Sequence, residues 1–325
     1  MPEPILPPLH PELRFHNYAS FLRRRLGGPA ARISVDGGFT CPNRDGAIGV
    51  GGCSYCNNDA FTPGIRFPGL PVAEQVRRSI HAPGRHHAYR RFLVYFQKFS
   101  NSYAAPEELR RLYEAAFSHP DVAGIVVGTR PDCLGEPVLS VLSEVARNRY
   151  VCVEVGLQSM SDAVLRRVNR GHSVDTFVRA VSEIRRRGID VGVHMIYGLP
   201  GDTRERFLSA APFLSRLDVQ GVKLHHFHVL GGSAMEEAWR RGGVRVPGYD
   251  EYLSSCVDFL ERLSPEIAVM RLMGEAPEHL LIAPRWPKGP REMASDIAVE
   301  LSRRGTFQGA RREGGSGGRK RHAGP

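Results

Sequence analysis

The sequence predicts an α/β fold built on a parallel sheet, and three observations carry that prediction. Apolar, β-branched runs recur at residues 33–35, 92–96, 125–127, 151–155, 191–196 and 222–224, each parted from the next by at least a helix length. The later intervening segments carry apolar residues at helical spacing, and a polar or glycine-rich signature follows each of the six runs. Strand, helix, strand in regular succession argues for parallel pairing. Six βα units fall short of the eight in a closed barrel and exceed a minimal nucleotide-binding half, so a doubly wound sheet stays open.

The elements follow in order. Glu12 to Leu26 reads as an amphipathic helix, with Leu13, Tyr18, Phe21, Leu22 and Leu26 apolar among arginines, and Gly27-Gly28 stops it. Ile33 and Val35 alternate with Ser34 and Asp36 in a short strand that leads into a cysteine-bearing loop. Leu109, Leu112, Tyr113, Ala116 and Phe117 form a core-facing helical stripe behind Pro106. Phe177, Val178, Val181 and Ile184 do the same before Gly188. Beyond Gly231 the pattern changes: Tyr252 to Leu263 reads as a helix, 267–273 as a strand and Met293 to Leu301 as a helix. From Gly305 the chain is rich in glycine and arginine and reads as disordered. The expected organisation is an N-terminal helical region at 1–30, a core at 31–230, a C-terminal extension at 231–304 and a basic tail at 305–325.

Half of the six cysteines fall within sixteen positions, as Cys41, Cys53 and Cys56 in a C-x11-C-x2-C loop bracketed by glycine pairs. Three soft thiolates suit zinc or an iron-sulfur cluster. Zinc would need a fourth ligand from Cys133, Cys152 or a distant histidine, because no histidine occurs between His16 and His81. A cluster held by three would keep one iron open. His225, His226 and His228 alternate along a strand and cannot converge on one ion from it, so they read as polar lining of the sheet's end.

Net charge is +10, yet Arg303–Pro325 holds seven basic residues against one acidic, so +6 of the excess sits in the tail. No apolar run reaches the length of a membrane span, and the proline-rich start lacks the pattern of a signal peptide. The expectation is a cytoplasmic protein with no membrane partner.

The loop F-T-C-P-N-R-D-G-A-I-G-V-G-G-C-S-Y-C resembles the cluster loop of the radical S-adenosylmethionine (SAM) enzymes. Its long first gap is similar to that of the YhcC/YtqA-like family, a branch related to the Elp3 catalytic subunit. The resemblance runs from Phe39 to Gln308. It implies a partial (β/α)6 TIM-type barrel, with a [4Fe-4S] cluster on Cys41, Cys53 and Cys56 and SAM on the fourth iron. In E-V-G-L-Q-S and the following N-R-G-H, Glu154, Gln158 and Arg170 match the residues that hold the ribose and carboxylate of SAM. An arginine fork suits a carboxylate. The stretch from His194 through Tyr197 and Gly198 resembles the adenine-binding segment. Where other radical enzymes carry Gly-Gly-Glu for the methionine amino group, this chain has Gln97-Lys98-Phe99-Ser100-Asn101, so Gln97 and Asn101 are the candidates for that contact.

By that resemblance the chain is an enzyme that reductively cleaves SAM to a 5′-deoxyadenosyl radical, fed by an electron donor such as flavodoxin or ferredoxin. The kinship with the Elp3 branch and the basic charge point to tRNA, at a wobble uridine. A radical enzyme acting on a small metabolite would keep every motif without needing the charge. A zinc-stabilised RNA-binding protein without catalysis would use the same cysteines and leave the Gln158–Arg170 pattern unexplained. About ninety residues follow Gly231, too few beside the elements there for the acetyltransferase domain of the Elp3 subunit.

Overall fold

The computed structural model describes residues 9–61, 64–82 and 89–312. Six parallel strands form in sequence: β1 (Ala31–Val35), β2 (Phe92–Phe96), β3 (Val122–Thr129), β4 (Tyr150–Gln158), β5 (Asp190–Tyr197) and β6 (Gly221–His226). Their order in the sheet is their order in the chain, which removes the doubly wound alternative, since that topology needs a reversal of strand order. A seventh parallel strand, β8 (Ala268–Arg271), pairs with β6, so the C-terminal extension lengthens the sheet itself. The sheet curls into a partial barrel whose two edges, β1 and β8, do not pair. A short antiparallel pair, β7 (Val229–Leu230) with β9 (Leu281–Ala283), stands apart.

The crossovers carry α2 (Val72–His81), α3 (Pro106–Ala115), α4 (Glu136–Ala146), α5 (Asp162–Arg167), α6 (Val174–Arg186) and α7 (Arg204–Arg216). Alternation along each strand decides what faces them. Val153, Val155, Val191 and Val193 are fully buried in one cluster with Phe177, Val181, Ile184 and Leu214 of the helices. Each such side chain contributes about 1.5–3 kcal/mol on burial. The extension adds α8 (Ala234–Arg240), α9 (Tyr249–Arg262) and α10 (Pro290–Arg303), with α9 packed between α7 and α10.

The inner face has its own floor. Helix α1 (Tyr18–Leu26) begins later than the apolar pattern suggests, because Asn17 caps it through the Ser20 N–H at 2.8 Å and Arg14 turns left-handed at φ 59°. Its Leu22 is buried against Leu93, Tyr95, Val126 and Cys152, which closes the N-terminal end of the barrel. Arg25 of α1 forms a bidentate pair with buried Asp190 at the start of β5.

The tail begins later than composition suggests. Thr306 and Gln308 are buried, and Gln308 accepts from the His16 N–H at 2.8 Å while donating to the carbonyls of Ser264 and Ile267. Residues 313–325 of the expected tail lie outside the described residues. Among the described residues no helix is long and apolar enough to cross a membrane.

Candidate active site

At the C-terminal ends of the strands, on the inner face, one cavity is lined by Cys41, Cys53 and Cys56 together with Gln97, Asn101, Glu154, Gln158, Arg170 and His194. Residues from five loops or strands, 153 positions apart at the extremes, meet there because βα loops converge at that end of a parallel barrel.

The cysteine loop is fixed by the turn after α5. Asn169 donates to the Gly52 carbonyl at 2.8 Å, Asn43 donates back to the Asn169 carbonyl at 2.5 Å, and the Ser54 N–H bonds Val168 O at 3.0 Å. The next residue, Arg170, donates through Nη1 to Cys53 Sγ at 3.5 Å and through Nη2 to the Gly156 carbonyl at 3.2 Å. Gly156 makes room for both side chains: a Cβ there would stand 2.3 Å from Gln158 Nε2 and 2.5 Å from Arg170 Nη2 and would push them aside.

Burial alone would raise the Cys53 thiol, but Arg170 and then Arg130 outweigh it and hold it low. Cys56, buried and beside Cys53, is pushed up to about 12. Among the described residues no fourth cysteine lines the cavity: Cys152 belongs to the barrel floor, Cys256 is on the buried face of α9, and buried Cys133 faces elsewhere. No three His, Cys, Asp or Glu side chains among them converge tightly enough for a single ion. Three thiols lining one cavity are a donor set that fits an iron-sulfur cluster.

Five buried polar atoms on cavity-lining residues have no partner among the described residues: Asn58 Nδ2, Asn101 Oδ1, Arg130 Nη1, Arg170 Nε and His225 Nε2. Buried polar groups are ordinarily satisfied, so this set fits a polar ligand. Backbone strain gathers at the same place. Lys98 (φ 84°), Phe99 (φ 63°) and Gln158 (φ 72°) are left-handed non-glycine residues, all lining the cavity, and Gln158 follows a register shift in β4.

Two expected residues are not brought in. Tyr197 and Gly198 lie outside the cavity, and Ile196 lines it instead. With His194 facing inward, strand parity sends Tyr197 outward, where it packs on Phe207 and Tyr252 and donates to Glu251 at 3.0 Å. Gly198, at φ 82°, turns the chain beside Pro247. Of the three clustered histidines, His225 lines the cavity, stacked on His194 at 5.7 Å, whereas His226 packs outward on Trp286.

Glu154 is present but differently employed. Its side chain is fully buried, and both oxygens serve protein donors: Lys223 Nζ, Tyr95 Oη at 2.7 Å, His194 Nε2 at 2.9 Å and Arg32 Nη1 at 3.4 Å. Burial would raise its carboxyl, but Lys223 and His194 hold it well below the carboxylate range. Sequence reading missed Arg130, Lys223 and Arg271 as cavity residues; a lysine inside an apolar strand was the available signal.

Comparison with known proteins agrees with this geometry. The Radical SAM superfamily domain matches residues 41–214, and the Radical_SAM C-terminal domain matches 219–303. Uncharacterized protein YtqA of Bacillus subtilis is 35% identical over 301 residues, 92% of each chain. A tRNA uridine(34) acetyltransferase of Dehalococcoides mccartyi is 27% identical over 53% of this chain and 37% of its own length. The structure of Methanocaldococcus infernus Elp3 superposes with a TM-score of 0.63 at 15% identity, covering 86% of this chain and 64% of Elp3. The three-thiol cavity thus sits inside a domain match spanning more than half the chain, and the chain belongs to the radical SAM superfamily of enzymes.

Proposed function

We propose that Cys41, Cys53 and Cys56 hold a [4Fe-4S] cluster and that the adjoining cavity binds SAM. The observation that carries this reading is the three-thiol cavity with Arg170 between Cys53 and the Gly156 carbonyl and unpartnered buried polar atoms around it. When bound, cluster and SAM supply reductive cleavage of SAM to a hydrogen-abstracting 5′-deoxyadenosyl radical, the electron coming from a donor such as flavodoxin or ferredoxin.

The chain's own residues orient and enclose. Arg170 presents its guanidinium to a carboxylate, and Gln158, held inward by its left-handed backbone, presents an amide to a ribose. Asn101 fixes its Nδ2 on the Gly128 carbonyl at 2.8 Å and leaves Oδ1 as an acceptor for an ammonium. Ile196, which the sequence offered beside Tyr197, supplies an apolar wall for a base. Helix α1 closes the far end and keeps bulk water from the interior.

The test is anaerobic reconstitution with iron and sulfide, read by visible absorption and paramagnetic resonance with and without SAM, and by chromatographic assay of 5′-deoxyadenosine. Wild type should give a cluster signal that shifts with SAM; Cys53→Ala should lose it. Stoichiometric zinc with no cluster would overturn the reading in favour of a zinc-stabilised protein.

For the macromolecular partner, the likeness to a tRNA uridine(34) acetyltransferase over half the chain favours tRNA. Phosphate contacts make such binding steeply salt-dependent. Flat affinity for tRNA between low and moderate salt would remove this reading and leave a small substrate.

A further inference from the structure

Away from the thiols, the cavity carries charge that the reading above does not use. Among the described residues Glu154 is the only carboxylate lining it, against Lys223 and Arg271, with Arg32 close behind. Lys223 is 2% exposed and donates to Glu154 and, at 3.3 Å, to Tyr95 Oη, which leaves one of its three ammonium protons for a ligand. Arg271 is half-buried and, among the described residues, its guanidinium has neither a hydrogen bond nor an ion pair. His194 and His225, lowered by burial and by the nearby Lys223 and Arg271, are neutral donors that add no charge. The interior therefore holds more positive charge than its one carboxylate offsets.

The sheet places these cations relative to the thiol corner. Gly156, His194, Lys223 and Arg271 are paired in one rung across β4, β5, β6 and β8. One end of the rung is where Arg170 binds the Gly156 carbonyl beside Cys53; the other is the open edge of the sheet. At that edge a groove runs between β1 and the segment after β8, lined by Arg32, Ser34, Asp59, Arg271 and Glu275. It shares Tyr95, Gln97 and Arg271 with the cavity, so the two are continuous and Arg271 stands at the junction.

We propose that Lys223 and Arg271 form an oxyanion subsite for a small acid, a reactant distinct from the tRNA partner, whose carboxylate or phosphate docks there after entering through the seam between β1 and β8. That the anion belongs to a reactant rests on the radical reading; the subsite itself does not. The groove's mouth mixes Asp59 and Glu275 with Arg32 and Arg271, so it does not select a polyanion. The surplus lies inside, where room is limited to a small group and desolvation strengthens each contact. An anion bound at Lys223 and Arg271 lies on the rung that ends at Gly156, so its carbon skeleton extends toward the thiol corner.

The experiment is calorimetric titration of the reconstituted full-length protein with two probes, inorganic phosphate and succinate. Wild type is compared with Arg271→Gln, Arg271→Lys and Lys223→Gln, with cluster content recorded by absorbance. Among the described residues Arg271 has no hydrogen bond or ion pair, so its variants fold even if Lys223→Gln does not. At least one probe should bind with unit stoichiometry. Arg271→Gln should weaken it about tenfold or more, as expected for loss of a charge-assisted contact, and Arg271→Lys should retain most of the affinity. Phosphate alone binding marks a phosphate ester, and succinate alone a carboxylic acid; either supports the subsite. Neither probe binding, or equal binding by wild type and Arg271→Gln, overturns it. Failure to form a cluster with anion binding intact would instead refute the radical reading.

Discussion

Lys223 of β6 and Glu154 of β4 form an ion pair across the intervening strand β5, inside a barrel where both side chains are almost wholly shielded from water. Burial draws the ammonium of Lys223 down to about 7, although Glu154 pulls the other way. Removing Lys223 leaves Glu154 with Arg32 at 3.4 Å as its remaining cation, so Lys223→Met alone should cost about 3 kcal/mol in urea unfolding. Glu154→Gln keeps partners in Tyr95 and His194, so the double variant should fall short of the sum of the singles by about 2 kcal/mol. Additive costs would mean that the two side chains do not act as a pair.

Arg170 joins the cysteine loop to β4 through Cys53 and Gly156, and its Nε is left over. Arg170→Lys retains charge and loses the planar fork. In reconstituted protein the cluster spectrum should survive this change while SAM affinity by equilibrium dialysis falls about 10- to 100-fold, the loss of a bidentate charged contact. Unchanged affinity would remove Arg170 from the SAM site.

Much of this was legible in the chain because the information is local. The run at 92–96 is β2 residue for residue, and the stripe through Leu109 and Tyr113 is α3. What escaped depends on partners distant in sequence. Residues 267–273 read as a strand of an extension, but only the pairing of Ala268 with Gly221 makes it part of the barrel. Lys223 is intelligible only beside Glu154, 69 positions away. Gln308 lies in a stretch whose composition reads as disorder, yet its contacts are with His16, Ser264 and Ile267. Between Tyr197 and Ile196, parity from His194 decides: Ile196 shares the inward face and Tyr197 points outward.

His16 makes acid stability testable. It is 2% exposed, and its Nε2 accepts from Arg24 at 2.5 Å. Burial and then the Arg24 charge lower its pKa from 6.5 to about 4. The unfolded chain therefore takes up a proton that the folded chain resists across this window. The contribution of His16 is fully present above pH 6.5 and is lost as pH falls toward 4, up to about 3 kcal/mol by linkage. His16→Gln, which retains an acceptor, should show a shallower fall of Tm between pH 6.5 and 4. Parallel curves for the two proteins would assign the acid sensitivity elsewhere.

The last described turn closes over α9, and its removal has a calculable consequence. Gln308 meets the His16 N–H and the carbonyls of Ser264 and Ile267, all in buried surroundings. Arg311 adds an Nε contact at 2.9 Å to the fully buried carboxylate of Glu261, and its N–H bonds the Glu261 carbonyl at 2.7 Å. A chain ending at Arg304 would strand those backbone groups and leave Glu261 with Arg304 alone, at 3.6 Å. Each stranded buried group costs about 1–3 kcal/mol, so the truncated protein should lose several kcal/mol of unfolding free energy. Gln308→Ala alone should lose about half of that, since it strands the same three groups but keeps Arg311. Because these contacts close the N-terminal end of the barrel, the loss should leave the thiol cavity intact, and the cluster spectrum of Gln308→Ala should match wild type below its own Tm. A truncated chain as stable as the full one would show that solvent replaces these contacts without penalty.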